Sequence, residues 1–162
     1  MGNEMVRKFL VKGTAWKYLS ITEDFVYRQG YLNFAKERTV CVRTMGCEAY
    51  ITIKGITDGI QRKEFEYEIP LKDADYMLDL LCEKPIIEKI RRGIQDEDCT
   101  EMWVVDEYFG ENQGLVLAEI LGDELEHEGE ATELPKWIGE EVTHDPKYFN
   151  ANLIKYPYSR WK

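Results

Sequence analysis

Eight segments of this chain alternate at period two, and in most of them the two phases differ in kind. They are "EMVRKFLV", "DFVYRQGYLNF", "RTVCVRTMG", "EAYITIKGI", "RKEFEYEIPL", "IIEKIRRGI", "TEMWVVDEYFG" and "GLVLAEIL". Each holds β-branched or aromatic residues at alternate positions and is bounded by Gly, Asp, Asn or Pro, the pattern of a strand. Successive strand side chains point to opposite faces, so a charged phase and an apolar phase become two faces of a sheet. Lys8 stands beside Phe9, Arg43 beside Val42, Lys54 beside Ile53, and Glu64 and Glu66 flank Phe65. Lys89 and Arg91 flank Ile90, Asp106 follows Val105, and Glu119 lies between Ala118 and Ile120. Two architectures fit: a sheet with one solvated face, or a barrel with a charged lumen and an apolar exterior packed under helices. Alternation alone does not choose between them.

Helices are few. "LKDADYMLDLLCE" predicts one, with Leu71, Tyr76, Leu80 and Leu81 on one side and Asp73 and Asp75 in the first turn. A second is expected from "TELPKWIGEE" and a shorter one within "DPKYFNANLIKY". The acidic stretch "GDELEHEGEATEL" reads as a solvated connection. A length of 162 residues suits one domain spanning 1–162. The net charge of −10 argues against nucleic acid as a partner, yet a local cation cluster can still hold a small anion. No apolar run approaches the roughly 20 residues of a membrane span, and no signal-peptide core opens the chain, so the expectation is a cytoplasmic protein without a membrane partner. Cys41, Cys47, Cys82 and Cys99 lack C-x-x-C spacing and read as free thiols rather than a zinc or redox motif.

Taken in order, the motifs resemble a known family. "EMVRKFLVKG" is similar to the E-x-E-x-K signature strand of the CYTH superfamily, the triphosphate tunnel metalloenzymes. The series continues with "RQGYL", "RTVCVR", "YITIKG", "FEYEIP", "IEKIRR", "VVDEYFG", "GLVLAEI", "WIGEEVTHDPKYFNANL" and "KYPYSRW". The resemblance implies an α+β protein: a closed antiparallel eight-stranded β-barrel, or tunnel, with helices packed outside. It also implies hydrolysis of inorganic triphosphate with magnesium or manganese, in a monomer or homodimer. Dense phosphate charge calls for several Lys and Arg side chains, and carboxylates are needed for a divalent cation. By resemblance, Lys8, Arg43, Lys54, Lys89 and Arg91 bind phosphate, and Glu4, Glu64, Glu66, Asp106 and Glu119 serve the metal or water. Glu4, Lys8, Glu66 and Lys89 take the catalytic roles. Arg38 is out of phase with Arg43 and is expected to be structural or outside.

Four departures from the family pattern share the phase of the retained charges. Val6 stands where the second Glu of E-x-E-x-K is usual, and Cys41 where the first Arg of an R-x-R pair is usual. Val104 and Leu121 likewise stand at positions usually held by Glu. Tyr27 adds an aromatic ring on the same phase, and Gly122 follows Leu121. An inward bias of this kind reads as remodelling, by natural repurposing or by engineering on a tunnel scaffold. The expected consequences are reduced metal affinity and weakened triphosphatase catalysis. The alternative is a tunnel that takes a small organic ligand against an apolar wall of Val6, Tyr27, Val104 and Leu121. A non-native reaction is a further reading, through a Cys41 nucleophile, a Schiff base on Lys54 or Lys89, or Glu119 as base.

Overall fold

The computed structural model describes residues 7–58, 61–96, 102–120 and 134–161. Glu4, Val6, Cys99, Leu121, Gly122 and the acidic stretch over 123–133 lie outside the described residues. All eight alternating segments contribute a strand: β1 (Arg7–Val11), β2 (Ser20–Asn33), β3 (Arg38–Met45), β4 (Glu48–Asp58), β5 (Gln61–Glu68), β6 (Ile87–Gln95), β7 (Met102–Tyr108) and β8 (Val116–Ile120). A ninth, β9 (Ile138–Glu141), joins them in one antiparallel sheet of order β5-β4-β3-β2-β6-β7-β8-β1-β9.

The expected strand number is corrected here: the sheet has nine strands, and among the described residues its ladder runs from β5 at one end to β9 at the other. The extra strand comes from "WIGEE", which had been expected to be helical. Ile138 is drawn into the core at 4% exposure. Gly139 lets the backbone approach β1, since a Cβ there would sit 3.1 Å from the carbonyl oxygen of Leu10. Tertiary packing has overridden local preference.

The apolar phase builds two clusters on one side of the sheet. Phe9, Trp16, Ile94, Trp103, Val105, Ala118, Ile120, Trp137 and Ile138 form one. Val42, Ala49, Ala74, Leu78 and Cys82 form the other, where helix α1 (Leu71–Tyr76) packs and runs on as a π turn over Met77–Leu81. The helix is where the sequence predicts it, but its buried side is Ala74 and Leu78. Tyr76, Leu80 and Leu81 are exposed. Gly30 makes this docking possible, because a Cβ there would fall 2.8 Å from the Cβ of Cys82.

The third cluster lies on the charged phase. Tyr31, Cys41, Ile87, Tyr108, Leu115 and Leu117 are covered by Tyr148 and by Leu153 and Ile154 of helix α2 (Asn150–Lys155), the helix expected within "DPKYFNANLIKY". Half of the face that carries Lys89 is therefore apolar and capped. No described helix is long and apolar enough to cross a membrane.

Candidate functional site

Register assembles the other half of that face. Arg91 of β6 stands opposite Asp106 of β7, and Lys89 opposite Tyr108. Tyr27 of β2 faces Lys89 from the other side, and Gln29 of β2 faces Arg43 of β3. Glu119 of β8 lies between Val104 of β7 and Lys8 of β1. On the far strands Thr52 of β4 pairs with Glu66 of β5, and Lys54 with Glu64. Because strand side chains alternate, these residues share one face. Lys89 is 2% exposed and Asp106 0%, so the part of this face on β6 and β7 is buried, whereas Glu66 on β5 is exposed.

The centre is an ion-pair network. Lys89 Nζ donates to Asp106 Oδ2 at 2.9 Å. Arg91 grips the same carboxylate with two bonds, Nε to Oδ1 at 2.8 Å and Nη2 to Oδ2 at 2.9 Å. Its Nη2 also reaches Glu119 Oε2 at 3.3 Å. Lys8 Nζ stands 3.9 Å from Glu119 Oε1, a charge contact too long for a hydrogen bond. The Lys89 ammonium lies 4.4 Å from the centre of the Tyr27 ring and 5.2 Å from that of Tyr108.

Burial pushes the Asp106 carboxyl up, but the charge of Lys89 and the hydrogen bonds from Arg91 outweigh it and hold the group at about 2. Burial would lower Lys89 and Arg91, yet Asp106 raises both, and all three stay ionised. Lys8 differs: burial lowers it below the ordinary lysine range, and Glu119 only partly offsets that. Burial raises the Tyr108 phenol well above its usual range, which keeps it neutral.

A second group sits on β3, β4 and β5. Arg43 Nη2 donates to both Glu66 oxygens at 3.0 and 3.1 Å, and Thr52 Oγ1 donates to Glu66 Oε2 at 3.3 Å. Burial lowers Arg43, but Tyr27 and Glu66 more than compensate, and its pKa is raised. Its Nε is buried without a hydrogen-bond partner. Such a donor is costly unless something accepts from it.

A polar chain joins this region to the cap. Asn150 Nδ2 donates to Gln29 Oε1 at 2.7 Å, and Tyr108 OH donates to Asn150 Oδ1 at 3.3 Å. Gln29 Nε2 donates to Cys41 Sγ at 3.6 Å, and Tyr27 OH to Gln29 Oε1 at 3.4 Å. The sequence reading missed the roles of Gln29, Tyr108 and Asn150. Gln29 and Tyr108 carried a signal, each two residues from a residue already placed on this phase. Asn150 carried none, since its reach depends on how the C-terminal segment folds back.

Cys41 and Val104, at positions where charged residues were expected from the family resemblance, lie on this face. Cys41 is 2% exposed and stands opposite Thr52 and Tyr31, while Val104 stands opposite Gly93 and Glu119. Arg38 is on the other phase, opposite Gly55, and exposed beside Glu37 at 3.7 Å. Lys54 and Glu64 face each other nearer the β5 end of the sheet, and Glu4, Val6 and Leu121 fall outside the described residues.

A divalent cation asks for several oxygen ligands, six or so around magnesium. Among the described residues no three His, Cys, Asp or Glu side chains converge in that way. Asp106 has both oxygens committed to Lys89 and Arg91, Glu119 faces Arg91 and Lys8, and Glu66 faces Arg43 and Thr52. The described carboxylates do not fit the expected magnesium or manganese as they stand.

Comparison with known proteins follows the same outline. The CYTH domain family matches residues 2–158. An inorganic triphosphatase from Acetivibrio thermocellus is 49% identical over 162 residues, covering 100% of this chain and 99% of that protein. An inorganic triphosphatase from Nitrosomonas europaea is 32% identical over 129 residues, covering 78% of this chain and 82% of that protein. The crystal structure of an inorganic triphosphatase superposes with a TM-score of 0.73 at 30% identity, covering 93% of this chain and 97% of the other.

Proposed function

Since this chain belongs to the CYTH domain family, we propose that its charged face is the wall of a tunnel that binds inorganic triphosphate and hydrolyses it slowly. The observation that carries the reading is the unpartnered, buried Nε of Arg43, on a face already crowded with cations. A phosphate oxygen would satisfy that donor with a charge-assisted hydrogen bond. Lys8 has donors to spare, since Glu119, the carboxylate it pairs with among the described residues, is 3.9 Å away. These two side chains would hold the anion. Lys89 and Arg91 are braced by Asp106, so they would offer fixed positive charge without reorganising.

Slow turnover follows from what the sequence lacks. Val6, Val104 and Leu121 stand where carboxylates are usual in this family, and few carboxylates on this face remain free of cation partners. Weak divalent-cation binding is the consequence. The alternative of an organic ligand is less well supported. Tyr27 lies over Lys89 and donates to Gln29, and Cys41 accepts from Gln29, so both are committed to packing.

The test is phosphate release from tripolyphosphate with magnesium or manganese, comparing the native chain with the Val6→Glu/Leu121→Glu variant. The expected result is a slow native rate and a gain of about tenfold or more in the variant, tenfold being about 1.4 kcal/mol of transition-state stabilisation. A fast native enzyme that the two substitutions do not improve would contradict the reading.

A further inference from the structure

We propose that the cavity beside the C-terminal end of α2 is a second anion site, one that takes a compact tetrahedral oxyanion such as orthophosphate. Lys84, Lys155 and Arg160 line a space of about 150 Å³ together with Phe34 and Ile154, and Glu83 is the one carboxylate in its lining. In a chain of net charge −10 this concentration of cations runs against the global field.

The three cations make no ion pair among the described residues. Two of them are nevertheless held in place by uncharged partners. Lys84 Nζ donates to the carbonyl oxygen of Leu78. Lys155 Nζ lies 4.7 Å from the centre of the Phe34 ring, and that ring is itself stacked on Tyr31 at 4.6 Å and 18°. Neither contact cancels charge. The lining therefore sets three cations against the single carboxylate of Glu83, and the contacts of Lys84 and Lys155 reduce the ordering cost of binding.

The cavity, about 150 Å³ and open to solvent on one side, has room for a phosphate ion. Phe34 and Ile154 also belong to the apolar cluster under α2, so the cavity is separated from Lys89 by that packing. The inference rests on the cavity alone and does not require the function proposed above.

The experiment is a titration of orthophosphate into the full chain, followed by backbone amide shifts, with sodium chloride at equal ionic strength as the control. Saturable shifts are expected at residues 34, 83, 84, 154–156 and 158–160, the non-proline positions around the cavity. The Lys155→Ala/Arg160→Ala variant should weaken that response about tenfold, and Glu83→Gln should strengthen it two- to threefold or so by removing a like charge. Shifts confined to the Lys89 face would overturn the inference while leaving the proposed function intact. No saturable shift, an equal response to chloride, or a double variant that binds as the native chain does would overturn it too.

Discussion

One face of the sheet holds two regions built on different physics. Around Asp106 the side chains are charged, and they stay buried because each carboxylate oxygen meets a cation. Under α2, on the same face, Ile87, Leu117, Leu153 and Ile154 exclude water with no charge at all. The first region is held by a few directional contacts and is vulnerable to the loss of any one of them. The second is held by many small contacts and loses stability in proportion to the volume removed. The charged half keeps its shape at a desolvation cost, and the apolar half helps to offset that cost.

The largest effect is expected from Asp106→Asn. It removes the counter-charge from buried Lys89 and Arg91, and unfolding in urea should show a loss of about 3–5 kcal/mol. Acid titration sharpens the point. The Asp106 carboxyl is depressed to about 2 in the folded chain from an ordinary 3.8, so its contribution is complete above about pH 4 and is lost as pH falls towards 2. The Asn variant should lack that acid-dependent component. An Asp106→Asn chain as stable as the parent would mean that ion pairing does not hold this half together.

Leu153→Ala probes the other half. Leu153 is 0% exposed, and its truncation should cost about 2–4 kcal/mol in the same urea experiment. The loss should be the same at pH 3 and pH 7 or so, because no titrating group is involved. A strongly pH-dependent loss would show that the two regions are coupled rather than distinct.

Most of the sheet was legible in the sequence because alternation is a local property. β1 to β8 each carry it, and one period suffices to put Tyr27, Cys41 and Val104 on the phase of Lys89. β9 was not legible. Its four residues are too few to show a period, and what fixes them is the approach of Gly139 to Leu10 across the sheet. The buried side of α1 was misread for a similar reason: small Ala74 faces the sheet, and leucines at 80 and 81 are left outside. In the site, the charged residues were visible as a phase, but their pairing was not. That Asp106 holds Lys89 and Arg91 together, while Arg43 keeps an unpartnered Nε, depends on register between strands. The apolar cap was the least visible part, since Asn150 and Leu153 meet β2 and β7 only after the chain folds back.

The smallest of these effects is also the most direct test of the charged face as an anion site. Tripolyphosphate is titrated calorimetrically, without divalent cation, into the native chain and into Arg43→Ala, whose partly exposed side chain can be removed without unpairing Asp106. Saturable binding to the native chain, weakened about tenfold in the variant, is the predicted result. Equal affinity in the two proteins, or no binding to either, would contradict it.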